Sequence, residues 1–358
     1  MKTIFVTGGA GFIGSNFLIR QIKAGNIRII NYDKLTYAGN LDTLSSIKNN
    51  SNYLFIEGDI CDQELVNKTL VENNVDSIIN FAAESHVDRS IESPGEFIQT
   101  NIVGTFKLLQ ASRDYLNSIK GAKNKRDHYE KFRFLHVSTD EVYGSLGDRG
   151  AFTEQTPYAP NSPYAASKAA SDHLIRSYYK TFNFPAITTN CSNNYGPHQF
   201  PEKLIPLMIQ KALLGESLPV YGDGLHVRDW LYVDDHARAL FDIFTRGRVG
   251  EKYNVGGNAE MENIEVVTEI CDLVQELGGV LPRTPVRNLI AYVTDRPGHD
   301  QRYAMDASKI KQELGWKPRH DFHPGLRQTV EWYLSNEDWW RPILEGTYQG
   351  QRLGLEKN

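Results

Sequence analysis

Seven residues near the start of the chain, Gly8-Gly9-Ala10-Gly11-Phe12-Ile13-Gly14, restrict its fold more than any other stretch. They follow a short apolar run at 4–6 and open a segment of helical period at 12–23. A glycine-dominated loop between strand and helix lets the backbone approach a ligand that side chains would hold off. The N–H groups at the helix start then face that ligand, and a pyrophosphate is the anion that fits. Such a loop belongs at the carboxyl edge of a parallel sheet, so the chain must supply one. Strand-like runs recur at 27–32, 53–57, 76–80 (continued by Phe81-Ala82-Ala83), 132–138 and 186–190, with helical periodicity at 63–71, 95–118 and 162–182. This alternation predicts an α/β fold, a doubly wound parallel sheet with helices on both faces.

Asp33 lies 22 residues beyond Gly11, at the end of the second strand. A carboxylate there can accept both hydroxyls of an adenosine ribose, and its charge repels a 2′-phosphate. Loop, helix and acid together predict a Rossmann-type sheet that binds NAD rather than NADP. Asp59-Ile60 follows the third strand where an adenine edge would lie, although a plain turn explains that aspartate equally well. Beyond about residue 190 the pattern turns irregular. Pro197, Pro201, Pro206 and Pro219 punctuate it, Gly222-Asp223-Gly224 marks a turn, and short helices are predicted at 233–245, 263–277 and 307–314. At roughly 150 residues per domain, the 358 residues suggest an NAD-binding domain over 1–190. A smaller α+β substrate-binding region, interleaved with it, would take most of 191–358. The basic segment 120–131 reads as an exposed excursion.

Composition narrows the partners. Lys plus Arg number 39 against 44 Asp plus Glu, a formal net charge of −5, with 40% hydrophobic and 23% charged residues. These are globular proportions, and mild acidity argues against nucleic acid or an anionic membrane as the main partner. Cys61, Cys191 and Cys271 are far apart and read as free thiols in a reducing compartment. No apolar run is long enough to span a membrane. The apolar N-terminus is broken at once by Thr7-Gly8-Gly9, which argues against a signal peptide, so a cytoplasmic protein is expected. His86, His198, His226 and His299 lack metal-ligand spacing, and no metal is expected.

Tyr164 and Lys168 stand four residues apart at the start of a predicted helix and so share a face. A tyrosine with a pKa of about 10 is a poor base at neutral pH unless a cation one turn away supports the phenolate. Thr139-Asp140-Glu141 end the fifth strand, at the sheet edge where such folds bind ligands. Adjacent carboxylates are useful when held in different protonation states, as elimination of water requires: one base for a carbon-bound proton and one acid for the leaving hydroxyl.

With the glycine loop and Tyr-x-x-x-Lys on one chain, the sequence resembles the extended short-chain dehydrogenase/reductase family, whose members act on nucleotide sugars. Ser138-Thr139-Asp140-Glu141-Val142-Tyr143-Gly144 is similar to the signature of its 4,6-dehydratase branch. Asn193-Asn194-Tyr195-Gly196-Pro197, Arg228-Asp229-Trp230 and Asp295-Arg296-Pro297-Gly298-His299 also match. The resemblance implies a dTDP-glucose substrate, oxidised at C4 by Tyr164 with help from Thr139. Water then leaves across C5–C6 through Glu141 as base and Asp140 as acid, and C6 is reduced. It adds Lys34, Leu35, Thr36, Ala82, Ala83, Thr100 and Asn194 to the cofactor contacts. On the substrate side it implies Ser85, Asn193, Lys203, Leu204 and Asn263, with Pro219 and Tyr221 at the nucleobase. Arg228, Lys203, Arg296 and His299 can supply the cations that a diphosphate needs. A homodimer packed through 95–118 and 162–182 is implied, though burial of Phe97, Ile98, Leu108 and Leu109 within one chain explains the same pattern. Trp339, Trp340 and Tyr348 read as packing anchors, with a place for Tyr348 near the substrate also open. A nucleotide-sugar 4-epimerase would need Tyr164 and Lys168 without the acid pair, and a silent NAD-sensing protein would need neither.

Overall fold

The computed structural model describes residues 1–120, 126–346 and 348, so part of the basic excursion lies outside the described residues. Six strands form in the first half: β1 (Lys2–Thr7), β2 (Ile27–Asp33), β3 (Tyr53–Glu57), β4 (Ser77–Asn80), β5 (Arg133–Thr139) and β6 (Ala186–Cys191). Six follow: β7 (Asn193–Tyr195), β8 (Leu218–Tyr221), β9 (Val227–Tyr232), β10 (Lys252–Val255), β11 (Glu260–Glu262) and β12 (Ile290–Val293). The main sheet is parallel and seven-stranded, in the order β10-β6-β5-β4-β1-β2-β3. Helices cover both faces, which is why Ile4, Phe5 and Val6 are consecutive and all fully buried. The direction of winding reverses between β1 and β4, and an open α/β sheet forms its crevice at such a reversal.

Helix Phe12–Ala24 starts from Gly11 and ends on the left-handed Gly25. Helix Pro163–Phe182 has Pro163 at its first position, Ser162 accepting the Ala165 N–H at 3.0 Å, and left-handed Asn183 closing it. That fixes which face meets the sheet: Tyr164, Lys168 and Asp172 are all buried. The helix expected over 95–118 is not continuous. It runs as Pro94–Phe97, a wide π-helical stretch Ile98–Gly104, and Thr105–Ile119. Asn101 accounts for the widening. Its side chain bonds the backbone of Glu84 in both directions, at 2.9 and 3.0 Å, and reaches Ser167 at 2.8 Å, drawing the turn toward the sheet edge.

The chain after residue 190 serves both halves. β10 closes the main sheet beside β6. Helix Val233–Arg246 packs on helix Phe12–Ala24 and ties to it through Arg20 and Asp234 at 2.7 Å. A second core joins helices Leu204–Leu214, Asn263–Leu277 and Phe322–Ser335 with two small sheets, β11-β9-β7 and β12-β8. The tail spans the halves. Trp339 donates its indole N–H to Thr43 at 3.0 Å, Trp340 is buried in the second core, and Tyr348 is buried against Phe200. Phe97, Leu108 and Leu109 are buried within the single chain, whereas Ile98 is 47% exposed. No helix among the described residues is long and apolar enough to cross a membrane.

Candidate active site

One cleft runs along the carboxyl edge of the main sheet from the glycine loop to Lys203. Its floor at the loop is bare backbone because nothing larger fits. Gly8 has a φ of +70°, and a Cβ there would lie 2.5 Å from the Ala82 nitrogen; at Gly14 one would lie 2.3 Å from the Gly8 carbonyl oxygen. Asp33 is fixed at the rim by N–H bonds from Ala10 (2.8 Å) and Leu35 (2.9 Å), one to each carboxylate oxygen, and the remaining lone pairs are free to accept ribose hydroxyls. Burial raises its pKa, and these two N–H groups oppose the shift. Lys34 pairs with Asp59 at 2.8 Å along the same wall, beside Ile60. Thr36, Ala82, Ala83, Thr100 and Asn194 line the cleft, as do Gly11, Phe12 and Ile13. Leu35 packs instead on the core, its left-handed backbone turning the side chain inward. The backbone cradle, the helix start and the fixed carboxylate fit an NAD pyrophosphate and ribose.

The reacting groups stand where β5 and helix Pro163–Phe182 meet the cleft. Thr139 donates to Asp140 at 3.2 Å, accepts the Glu141 N–H at 3.3 Å and also hydrogen-bonds Tyr164. Burial pushes the Asp140 carboxyl well above its usual range, and Glu141 and Asp229 push it further. Glu141 is also raised by burial, but Arg296, Lys203 and Arg228 act against that rise. Both carboxyls are thus pushed toward the neutral form, but only Glu141 has three cations working against the shift, which is the asymmetry an acid and a base would need. Burial drives Tyr164 upward too, with the Thr139 hydrogen bond opposing. Lys168 is buried and donates to the Val137 carbonyl at 2.9 Å, so its ammonium is anchored to β5 rather than to the phenol.

Ser85, Asn193 and Lys203 line the same cleft, with Lys203 donating to the Ser85 carbonyl at 2.9 Å. The other residues expected at the substrate gather in an adjoining cluster. Arg228 is clamped by the carbonyls of Val227 and Asp300, both at 2.8 Å, and lies 4.4 Å from the Tyr303 ring. Arg296 and Tyr221 converge on Asp88, at 2.8 and 3.0 Å. The buried Asn193 Oδ1, Asn263 Oδ1 and Arg296 Nε have no hydrogen-bond partner among the described residues. Buried polar atoms of this kind are costly unless a ligand meets them. Leu204 packs on the second core, and Pro219 lies in β8 beside Tyr221.

His226 and His299, unlinked by any sequence spacing, come together around Asp295, at 3.2 and 2.6 Å, with their rings stacked 3.7 Å apart. The three could be ligands to a metal ion by distance alone. The expectation that His299 supplies a cation to a diphosphate does not hold, because its surroundings keep it uncharged. Burial holds both imidazoles neutral, His299 down to about 3, and Arg296 and Arg228 lower both further.

Sequence reasoning passed over Asp88, Glu84, Cys191 and His226. Glu84 and Cys191 could have been found, since each follows or ends a strand at the carboxyl edge, as Thr139 does. Asp88 and His226 carry no such signal, because their partners lie tens to hundreds of residues away.

The chain matches the sequence profile of the GDP-mannose 4,6 dehydratase family over residues 5–329. It is 58% identical over 354 residues to the dTDP-glucose 4,6-dehydratase of Xanthomonas campestris pv. campestris, covering 99% of both chains. The crystal structure of a dTDP-glucose 4,6-dehydratase from Bacillus anthracis in complex with NAD superimposes with a TM-score of 0.84 at 48% identity, covering 96% of this chain and 100% of that one. A UDP-glucose 4-epimerase from Thermotoga maritima has the same fold, with a TM-score of 0.80 at 27% identity over 94% of this chain and 99% of the other.

Proposed function

The chain belongs to the GDP-mannose 4,6-dehydratase family of extended short-chain dehydrogenase/reductases, and from that premise we infer that it is an NAD-dependent hydro-lyase converting dTDP-glucose to dTDP-4-keto-6-deoxyglucose. The observation that carries the reading is the acid pair. Asp140 and Glu141 share one cleft with Tyr164 and Lys168, and their surroundings differ: neighbouring carboxylates push Asp140 further up, while Arg296, Lys203 and Arg228 pull Glu141 down. An epimerase needs the second pair alone. The names of the relatives select dTDP-glucose over GDP-mannose.

The residues divide the work. The glycine loop and Asp33 hold NAD, which when bound supplies the redox partner for the sugar ring. Tyr164, bonded to Thr139, removes the proton of the 4-hydroxyl, and Lys168 supports its phenolate from the next turn of the helix. With C4 at the ketone level the C5 proton is acidified, and Glu141 takes it. Asp140, pushed toward the protonated form by burial, gives its proton to the C6 hydroxyl, which leaves as water; the hydride taken from C4 then returns to C6, and Glu141 gives its proton back to C5. Arg228, Arg296 and Lys203 bind the diphosphate, Asn193 and Asn263 meet polar groups of the nucleotide sugar, and Tyr221 flanks the base.

The enzyme acts in the cytoplasm, feeding dTDP-rhamnose or another deoxysugar, and the exposed Ile98, Phe106 and Phe182 on the 98–119 and 163–182 segments form a homodimer face. Its division is a 1–190 cofactor domain and a 191–358 sugar-nucleotide region, with β10 and helix Val233–Arg246 returned to the former. Incubation with dTDP-glucose should yield the 4-keto-6-deoxy product, with deuterium placed at C4 recovered at C6. A galactose isomer would mean an epimerase, and unchanged substrate a binding protein.

A further inference from the structure

The helix that carries Tyr164 and Lys168 buries a third ionisable group one turn further on. Asp172 is 4% exposed. Its Oδ2 accepts from the Tyr158 hydroxyl at 2.8 Å and the Asn190 amide at 3.1 Å, and its Oδ1 faces His136 Nε2 at 3.4 Å. The chain behind His136 fixes its tautomer. Asn80 accepts the Thr7 hydroxyl at 2.6 Å, so its amide nitrogen is the donor to His136 Nδ1 at 3.1 Å, and the ring proton sits on Nε2, toward Asp172. His136 is itself neutral, because burial lowers its pKa and Lys168 lowers it further. Burial works against the Asp172 charge, yet His136, Lys168 and Tyr158 together hold its carboxyl below the usual range.

A carboxylate kept ionised in the interior needs a countercharge. Tyr158 and Asn190, which donate to Asp172, are neutral, as is the His136 that faces it, and among the described residues no ion pair joins it to an arginine. Of the cations near it, Lys252 from β10 lies over the Tyr158 ring at 4.4 Å, while Lys168 stands four residues back on the same helix face. Lys168 has the matching need: burial drives its ammonium toward the neutral amine, and Asp172 leads the groups that oppose this, ahead of Cys191. Tyr143, from the turn after β5, completes the titratable groups around the carboxylate.

We propose that Asp172 is a positioning residue of the reaction: the counter-ion, held by hydrogen bonds from Tyr158 and Asn190 and facing His136, that keeps the buried Lys168 ammonium charged. This rests on the reading that Lys168 supports Tyr164. It predicts that the lysine is tuned from behind, by a carboxylate that never touches substrate or cofactor.

The test uses the full chain loaded with NAD and labelled with ¹³Cε-lysine, the Lys168 resonance being identified by its loss in Lys168→Met. In Asp172→Asn the titration midpoint of Lys168 should fall by about one pH unit or more, and Asp172→Glu should restore it. The alkaline limb of kcat for dTDP-glucose should move to lower pH by the same displacement, with KM unchanged. An unmoved Lys168 midpoint in Asp172→Asn overturns the proposal. Full turnover by Lys168→Met overturns the reading of the site instead, so the two failures are distinguishable. Should Asp172→Asn not accumulate folded, Tyr158→Phe and His136→Gln each remove one contact to the carboxylate. Each should shift Lys168 in the same direction by less, and no shift in either also overturns the proposal.

Discussion

The two ends of the cleft are built from different materials. At the cofactor end, recognition is backbone: a glycine loop within seven consecutive residues, a helix start, and one aspartate clamped by two N–H groups. At the end proposed for the substrate the polar groups are side chains from five separate places, Asp88, Lys203, Tyr221 with Arg228, Asn263, and the stretch from Asp295 to Asp300. Backbone recognition is local in sequence and tolerates little substitution. Side-chain recognition is assembled at long range and can be retuned one residue at a time. The carboxylate pair sits at the seam, in the 3-10 turn Asp140–Tyr143 just past the end of β5 in the first half and facing cations of the second.

Four changes would break or sharpen this contrast. Glu141→Gln strikes the seam. It should suppress product formation by roughly a hundredfold to ten-thousandfold while NADH still accumulates on mixing with dTDP-glucose, and undiminished turnover would remove Glu141 from its role. Gly8→Ala strikes the backbone end, where a Cβ meets the Ala82 nitrogen at 2.5 Å and φ is +70°. A strain of about 3 kcal/mol weakens NAD binding by roughly a hundredfold, measurable by calorimetry, and dTDP affinity should be untouched. Asp88→Asn strikes the side-chain end by loosening both Arg296 and Tyr221. KM should rise roughly tenfold, about 1.4 kcal/mol, with NAD affinity unchanged; if both affinities fell, the two ends would be one unit.

The smallest effect is on stability. Burial lowers His236 to about 3 and His198 to about 4, against an ordinary value of 6.5. Below pH 6.5 the unfolded chain takes up protons that the folded chain refuses. The stabilisation is therefore complete above that pH and lost progressively toward pH 4. His198→Phe keeps an aromatic ring against Trp332 and Trp339, and should flatten the fall in Tm between pH 6.5 and 4 by a few degrees in a thermal scan.

The contrast also explains what could be read from residues alone. β1 and β4 carry apolar runs, Ile4-Phe5-Val6 and Ile78-Ile79, because both faces of a parallel sheet are buried there, and the ends of the strands mark the site, which is how Asp33, Thr139 and the acid pair stood out. β10 did not, since Lys252-Tyr253-Asn254-Val255 is four residues with two polar ones, accepted at an edge by pairing to β6. The break in the 95–118 helix was hidden because one side-chain amide, Asn101, causes it through partners in other elements. The substrate residues came through the resemblance to a family rather than through spacing. Asp88 and the His226–His299 stack had no local signature at all.

The late arrival of β10 has a consequence for synthesis. While the chain leaves the ribosome, the sheet that begins at Lys2 stands open along β6 until Lys252–Val255 has emerged, and the face under helix Phe12–Ala24 waits for Val233–Arg246. A nascent chain stalled near residue 190 offers a bare row of N–H and C=O groups to any neighbouring strand. Completion of the main sheet therefore waits for a strand and a helix from the later part of the chain.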